Sequence, residues 1–230
     1  MFPRPLLDTR FAATRALIVD LDGTLVDTLG DFVVALNGML DDLGLAHIDR
    51  AFVERTVGKG SEHLIHQTLL QAASKQAPAA ELFDTALARY QHHYQTVNGE
   101  HSAVFPGVVE GLQALQARGL PMACLTNKPT AFAAQLLQRK RLSGYFRHTF
   151  GGDAFARKKP DPLPLLKTCE ALGTEPGATL MIGDSSNDAE AARRAGCPVV
   201  LVSYGYNHGE PVRSAPADAF VDRLDELLRA

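Results

Sequence analysis

Four short runs of uninterrupted apolar residues constrain this 230-residue chain most strongly: "ALIVD" (16–20), "MACLTN" (122–127), "TLMIGD" (179–184) and "PVVLVS" (198–203). A strand with one wet face alternates apolar and polar residues; a continuous run marks a strand covered on both faces, as in a parallel sheet. Stretches of helical period lie between them: 108–119, 130–140, 163–173 and 187–196. Three of these run into Gly119, Gly173 and Gly196, where a helix C-cap is expected. A weaker strand, "DAFVD" (218–222), and a short final helix close the chain. This alternation predicts an α/β fold, a doubly wound, Rossmann-like parallel sheet.

From 28 to 100 the alternation stops, and only helical patterns are found, opening on Thr28 as a candidate N-cap. The chain therefore divides into an N-terminal arm (1–14), read as loose, a sheet-bearing core (15–27 and 101–230) and an all-helical cap (28–100). An insertion leaving the carboxyl end of the first strand stands where open α/β sheets bind ligands. The stretch "LLQAASKQAPAAE" reads as a helix end and loop, and "YQHHY" (90–94) as helix surface.

Composition narrows the classes. The net charge of −3 offers no basic footprint, so nucleic acid is not an expected partner. No segment is long and apolar enough to span a bilayer, and the first residues carry charges where a signal peptide would be apolar, so no membrane partner and a cytoplasmic location are expected. Cys124, Cys169 and Cys197 lack CxxC spacing and read as reduced packing residues. The cap histidines, His63, His66, His92 and His93, have no carboxylate at metal-binding spacing and read as surface or packing residues.

The chemistry concentrates at strand ends. The first strand ends in Asp20 and Asp22, followed by Gly23 and Thr24. In a strand, residues i and i+2 point the same way, so the two carboxylates would crowd one spot and repel. That calls for a metal, a proton-transfer role, or both. The second strand ends in Thr126 and Asn127, the loop "RKKPDPLP" brings Lys158 and Lys159, and the third strong strand leads into Asp184 and Asp188. In a parallel sheet these carboxyl ends share one edge. Several oxygen ligands suit Mg²⁺, which leaves room for phosphate, and a lysine and a hydroxyl suit phosphate oxygens. In the cap, Gly58, Lys59 and Gly60 either form an anion-receiving loop or a plain helix–helix turn with an exposed lysine.

The set "DLDGT", "LTN", "KKP" and "GDSSND", with a helical insertion after the first motif, resembles the haloacid dehalogenase superfamily of phosphohydrolases. "VFPGVVEGLQALQARG", "GGDAFARKKPDPLPL" and "VSYGYN" draw it toward the bacterial phosphoglycolate phosphatases. The resemblance implies a Mg²⁺-dependent phosphomonoesterase of this fold acting on a small phosphorylated substrate, as monomer or homodimer. It implies Asp20 as nucleophile forming an aspartyl phosphate, and Asp22 as acid and base that also reaches the metal through its carbonyl. Thr126, helped by Asn127, would bind phosphate, and Lys159 would neutralise charge. Asp184 would complete the metal site, with Asp188 acting mainly through its neighbours, and Gly23 and Thr24 would turn the chain into the cap. The Gly58–Lys59–Gly60 loop would receive the substrate's carboxylate. The alternatives are the same fold acting on a sugar phosphate, nucleotide or pyrophosphate, a phosphomutase, or a non-catalytic binding protein.

Overall fold

The computed structural model describes residues 5–72 and 80–229. In chain order, a short helix α1 (Leu6–Thr9) precedes β1 (Ala16–Val19), and β2 (Val26–Asp27) leads into the helices α2 (Leu29–Asp42), α3 (Arg50–Thr56), α4 (Ser61–Ala72) and α5 (Ala80–Val97). β3 (Ala103–Val104) leads out to α6 (Val108–Ala117), β4 (Met122–Leu125), α7 (Thr130–Arg139), β5 (His148–Phe150) and α8 (Leu163–Leu172). The chain ends with β6 (Thr179–Gly183), α9 (Ser186–Ala195), β7 (Val199–Val202) and β8 (Ala219–Val221), followed by a 3₁₀ turn at Leu224–Leu227.

The main sheet has six strands in the order β5-β4-β1-β6-β7-β8, and every pairing is parallel. Leu17 and Val19 of β1 pack into one apolar layer with residues of α6 and α7; Ala16 and Ile18 pack into the opposite layer with residues of α8 and α9. Covering both faces is why these strands carry no polar alternation. The connections run outward from β1 through β4 to β5, then cross back to β6 and out to β8. The switch point of the sheet thus falls between β1 and β6, where the carboxyl ends leave a crevice.

β2 and β3 pair antiparallel and form the two-stranded passage into and out of the helical layer, which has its own core. Within it Phe32 stacks on Tyr94 and Tyr94 on Tyr90, each pair with ring centroids 5.3 Å apart. Asp31, fully buried near the start of α2, accepts hydrogen bonds from the main-chain N–H of Gly99 (2.7 Å) and His101 (2.6 Å), tying the entry of the cap to its exit.

Several expectations need correction. The arm is not loose where it is described: Leu7 and Phe11 are buried in the core, and Arg118 Nη2 donates to Asp8 (3.1 Å). Thr28 precedes α2, but its hydroxyl bonds no described residue; Asp27 Oδ1 instead accepts from Leu29 N (3.2 Å). Tyr90 and Tyr94 of "YQHHY" are about 1% exposed, so that stretch is not simply helix surface. The expected loop of the Ala/Gln-rich stretch falls partly on 73–79, outside the described residues. All three cysteines are buried and free. Among the described residues no helix is long and apolar enough to cross a membrane.

Candidate active site

A cavity lies between the carboxyl ends of β1, β4 and β6 and the helical cap. Asp20 enters it directly after β1, its N–H held by Ile182 O of β6 (2.9 Å). Past Asp22 the chain reverses sharply, with the N–H groups of Leu25 and Val26 both bonded to Leu21 O. Gly23 sits inside that turn at φ +84°, and a Cβ there would lie 2.1 Å from Asp184 Oδ2. The first motif therefore needs glycine both for its backbone and for the close approach of Asp184.

Lys159 is the hub. Its ammonium donates to Asp20 Oδ1 (2.7 Å), to Asp188 Oδ1 (2.7 Å) and to Leu125 O (2.9 Å), which satisfies all its N–H groups. Asn127 fixes the backbone that carries it: Lys159 N donates to Asn127 Oδ1 (3.0 Å), and Asn127 Nδ2 donates to Lys159 O (2.9 Å). Asn127 Nδ2 also donates to Gly58 O of the cap (2.9 Å). Lys158, by contrast, points to the rim and pairs with Glu62 of α4 at 2.6 Å. Thr126 is 3% exposed, lines the cavity, and its hydroxyl accepts from Lys128 N (3.2 Å).

Asp184 follows β6 and is held by Tyr206 N (2.6 Å) on Oδ2 and by Thr24 Oγ1 (3.2 Å) on Oδ1. Asp188, in the first turn of α9, is committed on both sides. Its Oδ2 accepts from Asp184 N, Ser185 N and Ser185 Oγ, and its Oδ1 accepts from Lys159. It closes the start of the helix and orients the lysine at once.

Gly58 and Gly60 line the cavity at φ +107° and +92°, and Gly58 O also accepts from Asn187 Nδ2 (3.1 Å). Lys59, between them, is exposed and is not part of the lining. The loop thus meets the site through its main chain. The cation that does enter from beside the cap is Lys128, 6% exposed, whose Nζ donates to Asp22 Oδ1 at 2.8 Å. Its ammonium lies 4.5 Å from the ring centroid of Phe32 and 4.8 Å from that of Tyr94. Lys128 directly follows Thr126 and Asn127 in "LTNKP", where nothing in the spacing sets it apart from a solvated loop lysine. The i, i+4 spacing of Tyr90 and Tyr94, one face of a helix, was the readable signal for the aromatic wall.

Three buried carboxylates, Asp20, Asp184 and Asp188, and the partly buried Asp22 face two ammoniums among the described lining residues. Burial pushes the Asp20 carboxyl up to about 7; Asp188 and Asp22 add to the rise and Lys159 opposes it. Burial likewise raises Asp184, with Asp188 and Asp20 repelling its charge. For Lys159 burial works against the ammonium, but Asp188 and Asp20 prevail and hold its pKa above the ordinary lysine range. The excess negative charge calls for a cation, and oxygens of Asp20, Asp184 and Asp188 lie within 4.8 Å of one another. An all-oxygen, carboxylate-rich set suits a hard divalent ion.

The family model for haloacid dehalogenase-like hydrolases matches residues 17–202. The chain is 43% identical over 225 residues to a phosphoglycolate phosphatase of Thiobacillus denitrificans, covering 98% of this chain and 95% of that one. It is 40% identical over 228 residues to a phosphoglycolate phosphatase of Nitrosospira multiformis, covering 99% and 96%. A crystal structure of a predicted phosphoglycolate phosphatase from Haemophilus somnus superimposes with a TM-score of 0.90 at 30% identity, covering 94% of this chain and 96% of that one. By sequence and by fold, this chain belongs to the haloacid dehalogenase-like hydrolases.

Proposed function

We propose that the protein is a Mg²⁺-dependent phosphomonoester hydrolase that converts 2-phosphoglycolate and water to glycolate and phosphate. The observation that carries the reaction class is the buried Asp20–Lys159–Asp188 chain, with contacts of 2.7 Å on each side of the ammonium, beside a second carboxylate at Asp22. The names of the relatives at about 40% identity support the substrate.

Mg²⁺ fits the donor set. Asp20, Asp184 and the main-chain carbonyl of Asp22 would hold it, and it would supply positive charge beside the phosphoryl oxygens. Asp188 acts from beside that set, holding Lys159 through Oδ1 and the start of α9 through Oδ2. The chain's own groups divide the remaining work. An Asp20 oxygen attacks phosphorus, forming an aspartyl phosphate as the bond to the glycolate oxygen breaks. Asp22 gives that oxygen its proton, then takes one from the water that attacks the aspartyl phosphate, so both carboxylates return to their starting state. Lys159 offsets charge on Asp20 and the phosphoryl group, and the Thr126 hydroxyl donates to a phosphoryl oxygen. Asn127 keeps Lys159 in place, a role that accounts for its contacts better than direct help to phosphate.

Steady-state kcat/KM with Mg²⁺ on 2-phosphoglycolate, glucose phosphates, nucleotides, pyrophosphate and 3-phosphoglycerate tests the substrate. A preference for 2-phosphoglycolate of about a hundredfold, worth about 2.7 kcal/mol in transition-state binding, is expected. A peak elsewhere removes that substrate. Asp20→Asn is expected to lower kcat by at least about a thousandfold on every substrate, since no other group replaces the nucleophile.

A further inference from the structure

We infer that the substrate's carboxylate is read by Lys128 together with the Tyr94 hydroxyl, and not by the glycine loop's Lys59; this rests on the reading of the site as a phosphatase for a small phosphorylated acid. Three observations converge on it. Lys59 is exposed and outside the cavity lining, whereas Lys128 is buried within it. Lys159, the other buried ammonium, has every N–H group engaged by Asp20, Asp188 and Leu125 O. Lys128 Nζ makes one hydrogen bond to described residues, to Asp22, and otherwise meets the faces of Phe32 and Tyr94. An ammonium has three N–H donors, so Lys128 keeps donor capacity that Lys159 lacks.

Tyr94 provides the second observation of unused capacity. Its hydroxyl is buried, the residue is about 1% exposed, it lines the same cavity, and it bonds no described residue. The hydroxyl of its stacking neighbour Tyr90 is hydrogen-bonded to Ser61. A buried unpaired hydroxyl is costly and is normally satisfied by water or by ligand.

The position is also right. Asp22 must touch the oxygen that bridges phosphorus and the leaving group. In 2-phosphoglycolate the carboxylate carbon is two bonds from that oxygen. A cation already on Asp22 at 2.8 Å therefore sits where a carboxylate so close to the bridging oxygen must lie. The ring faces of Phe32 and Tyr94 lie against the ammonium and stabilise its charge in a place largely shut off from bulk water. A neutral leaving group of equal length could accept a hydrogen bond but would lack the charge-assisted one that a carboxylate makes with Lys128.

The test compares 2-phosphoglycolate with 2-hydroxyethyl phosphate, which replaces the carboxylate by a hydroxymethyl group. The readout is the ratio of the two kcat/KM values in wild type, Lys128→Met and Tyr94→Phe. Lys128→Met keeps an unbranched stem over the rings, and its ratio is expected to fall by about 10- to 100-fold, the worth of a hydrogen bond between charged groups. Tyr94→Phe removes one oxygen and is expected to lower the ratio by a smaller factor in the same direction. Any effect of Lys128 on Asp22 itself bears on both substrates alike and cancels in the ratio. If wild type favours 2-phosphoglycolate and both variants keep its ratio within about twofold, the assignment is overturned and the proposed function stands. If wild type shows no preference between the two compounds, the proposed substrate fails and this inference falls with it.

Discussion

Asp20 and Asp184 are carboxylates that the fold has taken out of water before supplying enough positive charge to hold them ionised. Burial is the largest influence on both, and Asp188 works in the same direction, so each is pushed upward even though Lys159 lies beside Asp20. The sign of the resulting pH dependence follows from linkage. A carboxyl near 3.8 in the unfolded chain and near 7 in the metal-free fold binds more protons when folded, so stability from this group is lost as pH rises from about 4 to about 7. A divalent ion held by this pair, as proposed, would bind its deprotonated form and cancel that loss. The rise in Tm on replacing EDTA with Mg²⁺ should therefore be larger at about pH 7.5 than at about pH 5, where protons compete for the same oxygens. Equal shifts at both pH values, or none at either, would count against Asp20 and Asp184 as metal ligands. At this scale the sequence was informative about acids and poor about cations. Asp20, Asp22 and Asp184 follow apolar runs directly, so topology alone carries them to one edge. Lys59 and Lys128 are both lysines near a glycine or proline, and only the packing of Phe32 and Tyr94 around one of them decides which enters the site.

The elements differ in how much of them is visible in residue order. β1, β4, β6 and β7 are buried along their whole lengths, so each writes an uninterrupted apolar run. β5 is an edge strand of His148, Thr149 and Phe150, all half-buried, and has no such signature. β2 and β3 contribute two residues each, too few for any periodicity, and exist because the passage into the cap must be paired somewhere. Helix starts misled for a related reason: Thr28 has the right residue type, yet Asp27 one place earlier does the capping. The joint at Asp31 was likewise invisible, since its partners Gly99 and His101 are some seventy residues away along the chain. Removing it leaves two main-chain N–H groups without their charged acceptor. Asp31→Ala should cost about 2–4 kcal/mol, read as a lowered midpoint in urea, with Asp31→Asn losing less because it retains one acceptor. An Asp31→Ala midpoint unchanged from wild type would mean water replaces the carboxylate and the joint carries no load.

At the scale of the whole molecule, the cap helices and the sheet meet around the candidate site. Gly58 O of the cap accepts from two core asparagines, Asn127 and Asn187. Lys158 reaches Glu62, and Phe132 of α7 packs edge-on against Tyr94 of α5 with centroids 5.1 Å apart. Tyr206, from the loop after β7, belongs to the cap's apolar cluster, and its N–H holds Asp184. Of the two asparagines, Asn127 also positions Lys159, so changing it would confuse closure with chemistry. Asn187 offers a cleaner handle: its Nδ2 is bonded to Gly58 O and lies in the first turn of α9 without touching Asp20 or Lys159 through any hydrogen bond among the described residues. Asn187→Ala weakens closure by one neutral hydrogen bond, and kcat/KM for 2-phosphoglycolate should fall between about twofold and tenfold. A substrate whose bulky aryl leaving group is poorly enclosed gains less from closure, so its kcat/KM should fall less. The ratio between p-nitrophenyl phosphate and 2-phosphoglycolate turnover therefore rises in the variant if the two halves close to admit small acids. If both rates drop by the same factor, Asn187 serves the phosphoryl-transfer step itself, and selection by size belongs to the rigid shape of the cavity.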